Sequence, residues 1–202
     1  SVSESVSLVN LLESQGIDTV IATPHFYADN ESLSSFLKRR EESFYNLDKA
    51  LGNSPLKIRL GAEVKYYPGI SRLNGLTQLC TEGTQLLLLE MPMSSWTEYT
   101  IRELEDISFM GDIKLVLAHV ERYMPMQKGN VWNRLLEDGI YMQVNASYFL
   151  DFFTKRKAIS NLRDGKIHFV GSDCHNMSTR PPRLCGAFEI IEDKLGGDFL
   201  NR

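Results

Sequence analysis

Five segments of the chain end in side chains that could do chemistry together. IATPHF delivers His25, RLGAE delivers Glu63, LLLLE delivers Glu90, LVLAHVER delivers His119 followed by Glu121 and Arg122, and FVGSDCHN delivers Asp173 and His175. Any one of these has a bland reading as a helix cap, a solvated turn or a satisfied histidine. Three of the four histidines and three carboxylates at equivalent strand ends point instead to a shared metal site. The donors are imidazole and carboxylate with no thiolate partner in spacing, a set that suits Mn, Fe, Zn or Co better than a structural cysteine-zinc site. Bridging carboxylates would support more than one ion, and paired ions activate water for hydrolysis of a phosphoester or an amide. Arg122 and Arg180 favour the phosphoester, because guanidinium groups grip phosphate oxygens bidentately. His168, at the entrance of its strand, reads as structural.

These residues need elements to position them. SVSESVSLVNLLESQG pairs Ser1 with Glu4 in capping-box spacing, carries Val6, Val9 and Leu12 on one face and stops at Gly16. IDTVIATP follows as a β-branched strand expected to end at Pro24. The alternation repeats: a helix marked by Leu33, Leu37, Phe44, Leu47 and Leu51, then LKIRLGAEV; LLLLEM; a helix through Ile101, Leu104 and Ile107, then DIKLVLAHV; a helix at Val131 and Leu135, then YMQVNA. A helix through Phe149, Phe152, Ile159 and Leu162 precedes KIHFVGSD, and a last helix opens at Pro182 and closes at Gly196. Six apolar strands mostly separated by helices indicate a parallel sheet covered by helices. A doubly wound sheet and a barrel both satisfy that pattern, and either gathers chemistry at the carboxyl ends of its strands.

The bulk numbers set limits. A length of 202 residues with 43% hydrophobic content suits one domain, and a net charge of -4 offers no bulk field for nucleic acid or anionic membrane. Cys80, Cys174 and Cys185 include no C-x-x-C and argue for a reducing compartment, so a cytoplasmic location is expected. No apolar run approaches a membrane span.

At the residues named above the chain resembles the PHP (polymerase and histidinol phosphatase) family, and most closely its capsule-biosynthesis branch of bacterial metal-dependent protein-tyrosine phosphatases. The stretches that carry the likeness are IATPHF, LGAEV, LLLLEMP, LAHVERY and GSDCHN with Arg180, and together they run nearly end to end. The resemblance implies a distorted (β/α)7 TIM-like barrel over residues 1–202 with two or three divalent metals, manganese first, at its carboxyl rim. It assigns metal ligation to His25, Glu63, Glu90, His119, Asp173 and His175, and phosphate contact to Arg122 and Arg180. It implies in-line attack on phosphotyrosine by a metal-activated hydroxide, with a tyrosine kinase of polysaccharide export as partner. The family also opens with a D-x-H-x-H strand upstream of the region where this chain begins. The barrel is therefore expected to be N-terminally incomplete, with unpaired strand edges beside the gap. Val120 and Cys174 depart from the family's usual proline and alanine.

Three rival readings have distinct consequences. Cys174 and Arg180 are spaced as C-x5-R, the signature of cysteine-dependent phosphatases, but HNMST lacks the glycine such a loop needs and Asp173 would oppose thiolate formation. Histidinol phosphate or another small phosphomonoester could replace phosphotyrosine as substrate. A catalytically incomplete barrel would serve only as an interaction module.

Overall fold

The computed structural model describes residues 1–200. In chain order the elements are α1 (Val2–Ser14), β1 (Thr19–Ala22), β2 (His25–Phe26), α2 (Leu33–Leu51), β3 (Lys57–Leu60), β4 (Glu63–Lys65), β5 (Leu86–Glu90), α3 (Glu98–Ser108) and β6 (Lys114–Leu117). There follow α4 (Val131–Glu137), β7 (Tyr141–Asn145), α5 (Ser147–Leu150), α6 (Lys155–Arg163), β8 (Phe169–Gly171), α7 (Leu184–Leu195) and α8 (Gly197–Leu200). All strand pairs are parallel, in a two-stranded sheet β1-β3 and a six-stranded sheet β2-β4-β5-β6-β7-β8.

The six expected strand segments are present, but the first two are each broken in two. Pro24 has no N–H to give a ladder, so β1 stops at Ala22 and the chain resumes pairing at His25. Gly61 interrupts the partner segment at the matching place. The register survives the break, with Ala22 opposite Leu60 and His25 opposite Glu63. His25 and Glu63 therefore open second, shorter strands, which corrects their expected place just beyond strand ends. The fold is a mixed α/β arrangement with a curled parallel sheet, a half-barrel. The curl is visible at the rim, where the ring of His25 on β2 comes within 5.9 Å of the ring of His175 beyond β8, although these strands lie at opposite ends of the six-stranded order. The outer edges of β1 and β8 have no strand partner among the described residues.

Helix signals worked where local chemistry was sufficient. Ser1 caps α1 by accepting from the Glu4 N–H at 3.3 Å, and Ser32 caps α2 by accepting from the Ser35 N–H at 3.2 Å. The helix expected across Phe149 to Leu162 is two helices. Asp151 accepts from the N–H groups of Phe153 and Thr154 at 2.9 and 3.1 Å, an Asx turn that stops α5 and starts α6. Phe152 is thus on the turn and exposed, not on a buried helical face. The central core is apolar around Val64, Leu87, Leu89, Leu115, Leu117 and Val144, the strand residues that meet the helices.

One buried carboxylate ties this core to the loop after β4. Glu103 on α3 is only 3% exposed and accepts from the Tyr66 hydroxyl at 2.7 Å, the Gly69 N–H at 2.7 Å and the Ser71 hydroxyl at 3.4 Å. Gly69 adopts φ 94°, which presents its N–H to that carboxylate. Burial first, and Glu103 second, push the Tyr66 hydroxyl up to about 12. Glu103→Ala strips three donors of their acceptor and is expected to lower unfolding free energy by about 3 kcal/mol in urea titration. Glu103→Gln, which keeps an acceptor oxygen, should lose clearly less; equal losses would contradict the hydrogen-bonding role.

Candidate functional site

The side chains expected to gather do so in two adjoining groups. In the first, ligand atoms of His25, Glu63 and Glu90 all lie within 4.8 Å of one another. His119 completes this group, its Nε2 at 3.0 Å from Glu63 Oε1 and 3.4 Å from Glu90 Oε1. The sheet sets these positions, since Glu63 and His25 are register partners and Glu90 ends the central strand β5. In the second group Asp173 Oδ2 accepts from Arg122, Arg180 and, at 2.8 Å, from Asn145 Nδ2. His175 Nε2 lies 3.2 Å from Arg180 Nη1, and its Nδ1 lies 3.0 Å from the Asp173 carbonyl oxygen. The His25–His175 ring contact joins the two groups.

Backbone conformation marks the same place. His119 at φ 34° and Asp173 at φ 49° are the non-glycine residues with positive φ among those described. Such conformations carry a cost of order 1–3 kcal/mol and cluster at functional sites. Each lets a strand turn sharply at its carboxyl end and return its side chain over the rim. The His119 N–H donates to Gln143 Oε1 at 2.5 Å, so β7 holds the β6 turn in place.

The donor chemistry fits a divalent transition metal. Burial leaves Nδ1 of His25 and Nδ1 of His119 without a hydrogen-bond partner, in a group otherwise made of carboxylates. Burial lowers the His119 pKa, but hydrogen bonds to Glu63 and Glu90 outweigh it and raise the value from 6.5 to about 9. Glu90 is held below its ordinary value, chiefly by its hydrogen bond to His119. With metal removed by chelator, a protonated His119 would lie as a cation between the two carboxylates. Because the folded value lies above 6.5, its stabilisation is whole below that pH and is lost as pH rises through about 9. Urea midpoints of chelator-treated protein should fall across this window more steeply in the wild type than in His119→Gln. Parallel pH profiles would contradict the pairing.

Two further residues support the site without having been singled out as site residues. Asn145, the neutral residue that ends β7, is 4% exposed and its amide donates to Asp173. Gln143 positions the His119 backbone and also donates to Asn145 Oδ1 at 3.2 Å. Neutral side chains give no charge signal in a sequence, and their roles rest on the register of β7. Cys174 packs against the small apolar cluster of Val9, Leu12 and Leu56. His168 accepts from the Met142 N–H through Nδ1 at 3.0 Å, and burial lowers its pKa, as a structural histidine requires.

The family model for capsular polysaccharide synthesis proteins, CpsB/CapC, matches residues 1–202. The chain belongs to this family. The tyrosine-protein phosphatase CpsB of Streptococcus agalactiae is 29% identical to this CpsB/CapC chain over 211 residues, covering 98% of this chain and 86% of its own. Tyrosine-protein phosphatase YwqE of Bacillus subtilis is 28% identical over 203 residues, covering 97% of this chain and 79% of its own. A solved structure from the work on YwqE of Bacillus subtilis and CpsB of Streptococcus pneumoniae, described as unique metal-dependent tyrosine phosphatases, superposes with a TM-score of 0.81. At 23% identity it covers 98% of this CpsB/CapC chain and 82% of its own, and it bears out the curled α/β fold.

Proposed function

We propose that this chain is a metal-dependent phosphomonoester hydrolase acting on protein phosphotyrosine, carried on one PHP-type (β/α)7 domain and serving capsular or exopolysaccharide synthesis. The observation that carries the reading is the convergence of His25, Glu63, Glu90 and His119 beside two arginines on one rim of the half-barrel. The relatives named as tyrosine phosphatases support it. His25, Glu63, Glu90 and His119 would hold the first of two or three divalent ions, manganese first, and Asp173 with His175 would extend the set toward the arginines. Ions bound there would lower the pKa of water and stabilise charge on phosphate oxygens.

The chain's own residues do the rest. Arg122 and Arg180 both aim N–H donors at one point, Asp173 Oδ2, and a phosphate dianion presents the same kind of acceptor. Asn145 keeps Asp173 from following the arginines when they turn to substrate. Tyr27 stacks on His25 with ring centroids 5.4 Å apart and offers an aromatic face to the ring of a phosphotyrosyl side chain. A phosphotyrosine protein, with a polysaccharide-export tyrosine kinase foremost, is the expected partner, met in the cytoplasm. Phosphotyrosyl peptide and histidinol phosphate should be compared side by side with chelator and with manganese restored. Turnover of the peptide that vanishes with chelator and returns with metal supports the proposal. Preference for histidinol phosphate would reassign the substrate, and chelator-resistant turnover would contradict the chemistry.

A further inference from the structure

Phe152 and Phe153 are the two most exposed large apolar side chains of the described residues, at 85% and 88%. Adjacent phenylalanines left in water need an explanation, because single exposed apolar residues are ordinary but a contiguous protruding pair is not. Their rings meet edge to face at 5.5 Å. The turn beneath them is built rigidly: Asp151 accepts from the Phe153 and Thr154 N–H groups, and the Thr154 hydroxyl donates to the Tyr148 carbonyl at 2.7 Å. Lys155, Arg156 and Lys157 then form the first turn of α6, with no acidic residue in it. Cations at a helix N-terminus oppose the helix dipole, so helix stability does not account for them. None of the three forms an ion pair with another described residue, although Lys155 lies within electrostatic reach of Asp193.

We propose that this aromatic and basic knuckle docks the protein on an anionic lipid surface, with Phe152 and Phe153 entering the headgroup region and Lys155, Arg156 and Lys157 meeting lipid phosphates. The charge favours anionic lipid over an apolar protein surface, since Lys155, Arg156 and Lys157 follow directly on the two exposed rings. Aromatic rings prefer the membrane interface, and each nearby Lys or Arg adds to attraction for anionic lipid. The local charge matters because the whole chain, at a net -4, is not drawn to such a surface. No helix among the described residues is long and apolar enough to cross a membrane; contact made through the knuckle alone would be peripheral and reversible.

The knuckle also lies at the same end of the sheet as the candidate site. β7 and β8 are parallel neighbours, so α6 must run back against the sheet, and its first turn lies at the rim where β7 ends in Asn145. Docking would hold that rim close to the bilayer. The inference does not depend on the hydrolase reading.

Co-sedimentation of the purified protein with phosphatidylcholine vesicles, with and without phosphatidylglycerol, tests it. Binding should require the anionic lipid and weaken with salt. Phe152→Ser with Phe153→Ser, and separately Arg156→Glu with Lys157→Glu, should each reduce it by roughly tenfold or more. Phe153→Trp should show a blue shift of its fluorescence on adding anionic vesicles. Unchanged circular dichroism and unchanged hydrolysis of a small soluble phosphomonoester would show that the fold and site are intact in these variants. Absence of binding to anionic vesicles overturns the proposal. So does binding that survives the paired phenylalanine substitution, or a change of oligomeric state in that variant without any vesicle binding.

Discussion

Asp173→Asn should reduce turnover of a phosphotyrosyl peptide by roughly a thousandfold while leaving the protein folded. The carboxylate accepts from Arg122, Arg180 and Asn145 through one oxygen, and it adopts a left-handed backbone conformation that asparagine also tolerates. The substitution therefore changes charge with little change of shape. Two guanidinium groups would then face each other with no anion between them, and the amide would be a poor ligand for a hard cation. Cys174→Ser, next door, should stay within about twofold of wild type, because the thiol packs against Val9, Leu12 and Leu56 and the metal-dependent chemistry gives it no part. Equal effects of the two substitutions would show that this loop acts through folding alone.

The second large effect is expected at the arginines. Arg122→Ala and Arg180→Ala should each lower kcat/KM by about a hundredfold or more, and the double variant should lose less than the product of the two. Sub-multiplicative behaviour follows from geometry, since both side chains converge on a single acceptor and would share a single phosphate. Lysine at either position should recover only part of the loss, because it offers a point charge in place of a planar fork. Full additivity would mean that the arginines act in separate places.

The legible part of the fold was the part that depends on local pattern. LLLLE could be read as a buried parallel strand because β5 lies inside the sheet between β4 and β6, with Leu87 and Leu89 in the core. Interruptions within a strand were harder. Pro24 announced a stop, but the resumption at His25 depends on a partner segment that begins 38 residues later in the pairing of His25 with Glu63. Phe152 fitted a helical spacing with Phe149 and Ile159, and only the Asp151 turn shows why that spacing fails. The gathering of side chains at the candidate site was legible wherever they are charged. Every residue expected there is found at one rim, yet the separation into a His25, Glu63, Glu90 and His119 group and an Asp173, His175 and arginine group is a matter of sheet curvature, on which spacing is silent. Asn145, the neutral residue at the end of YMQVNA, gave no charge signal, and Gln143 gave none at all, since their contributions are hydrogen bonds set by strand register.

Anomalous diffraction from crystals grown with manganese, combined with elemental analysis of the same protein, addresses the metal centre most directly. The expected result is manganese within about 2.0–2.3 Å of donor atoms from His25, Glu63 and Glu90, with occupancy that falls together with phosphotyrosyl-peptide turnover when chelator is added. A centre without metal in protein that still turns over the peptide in chelator would contradict it.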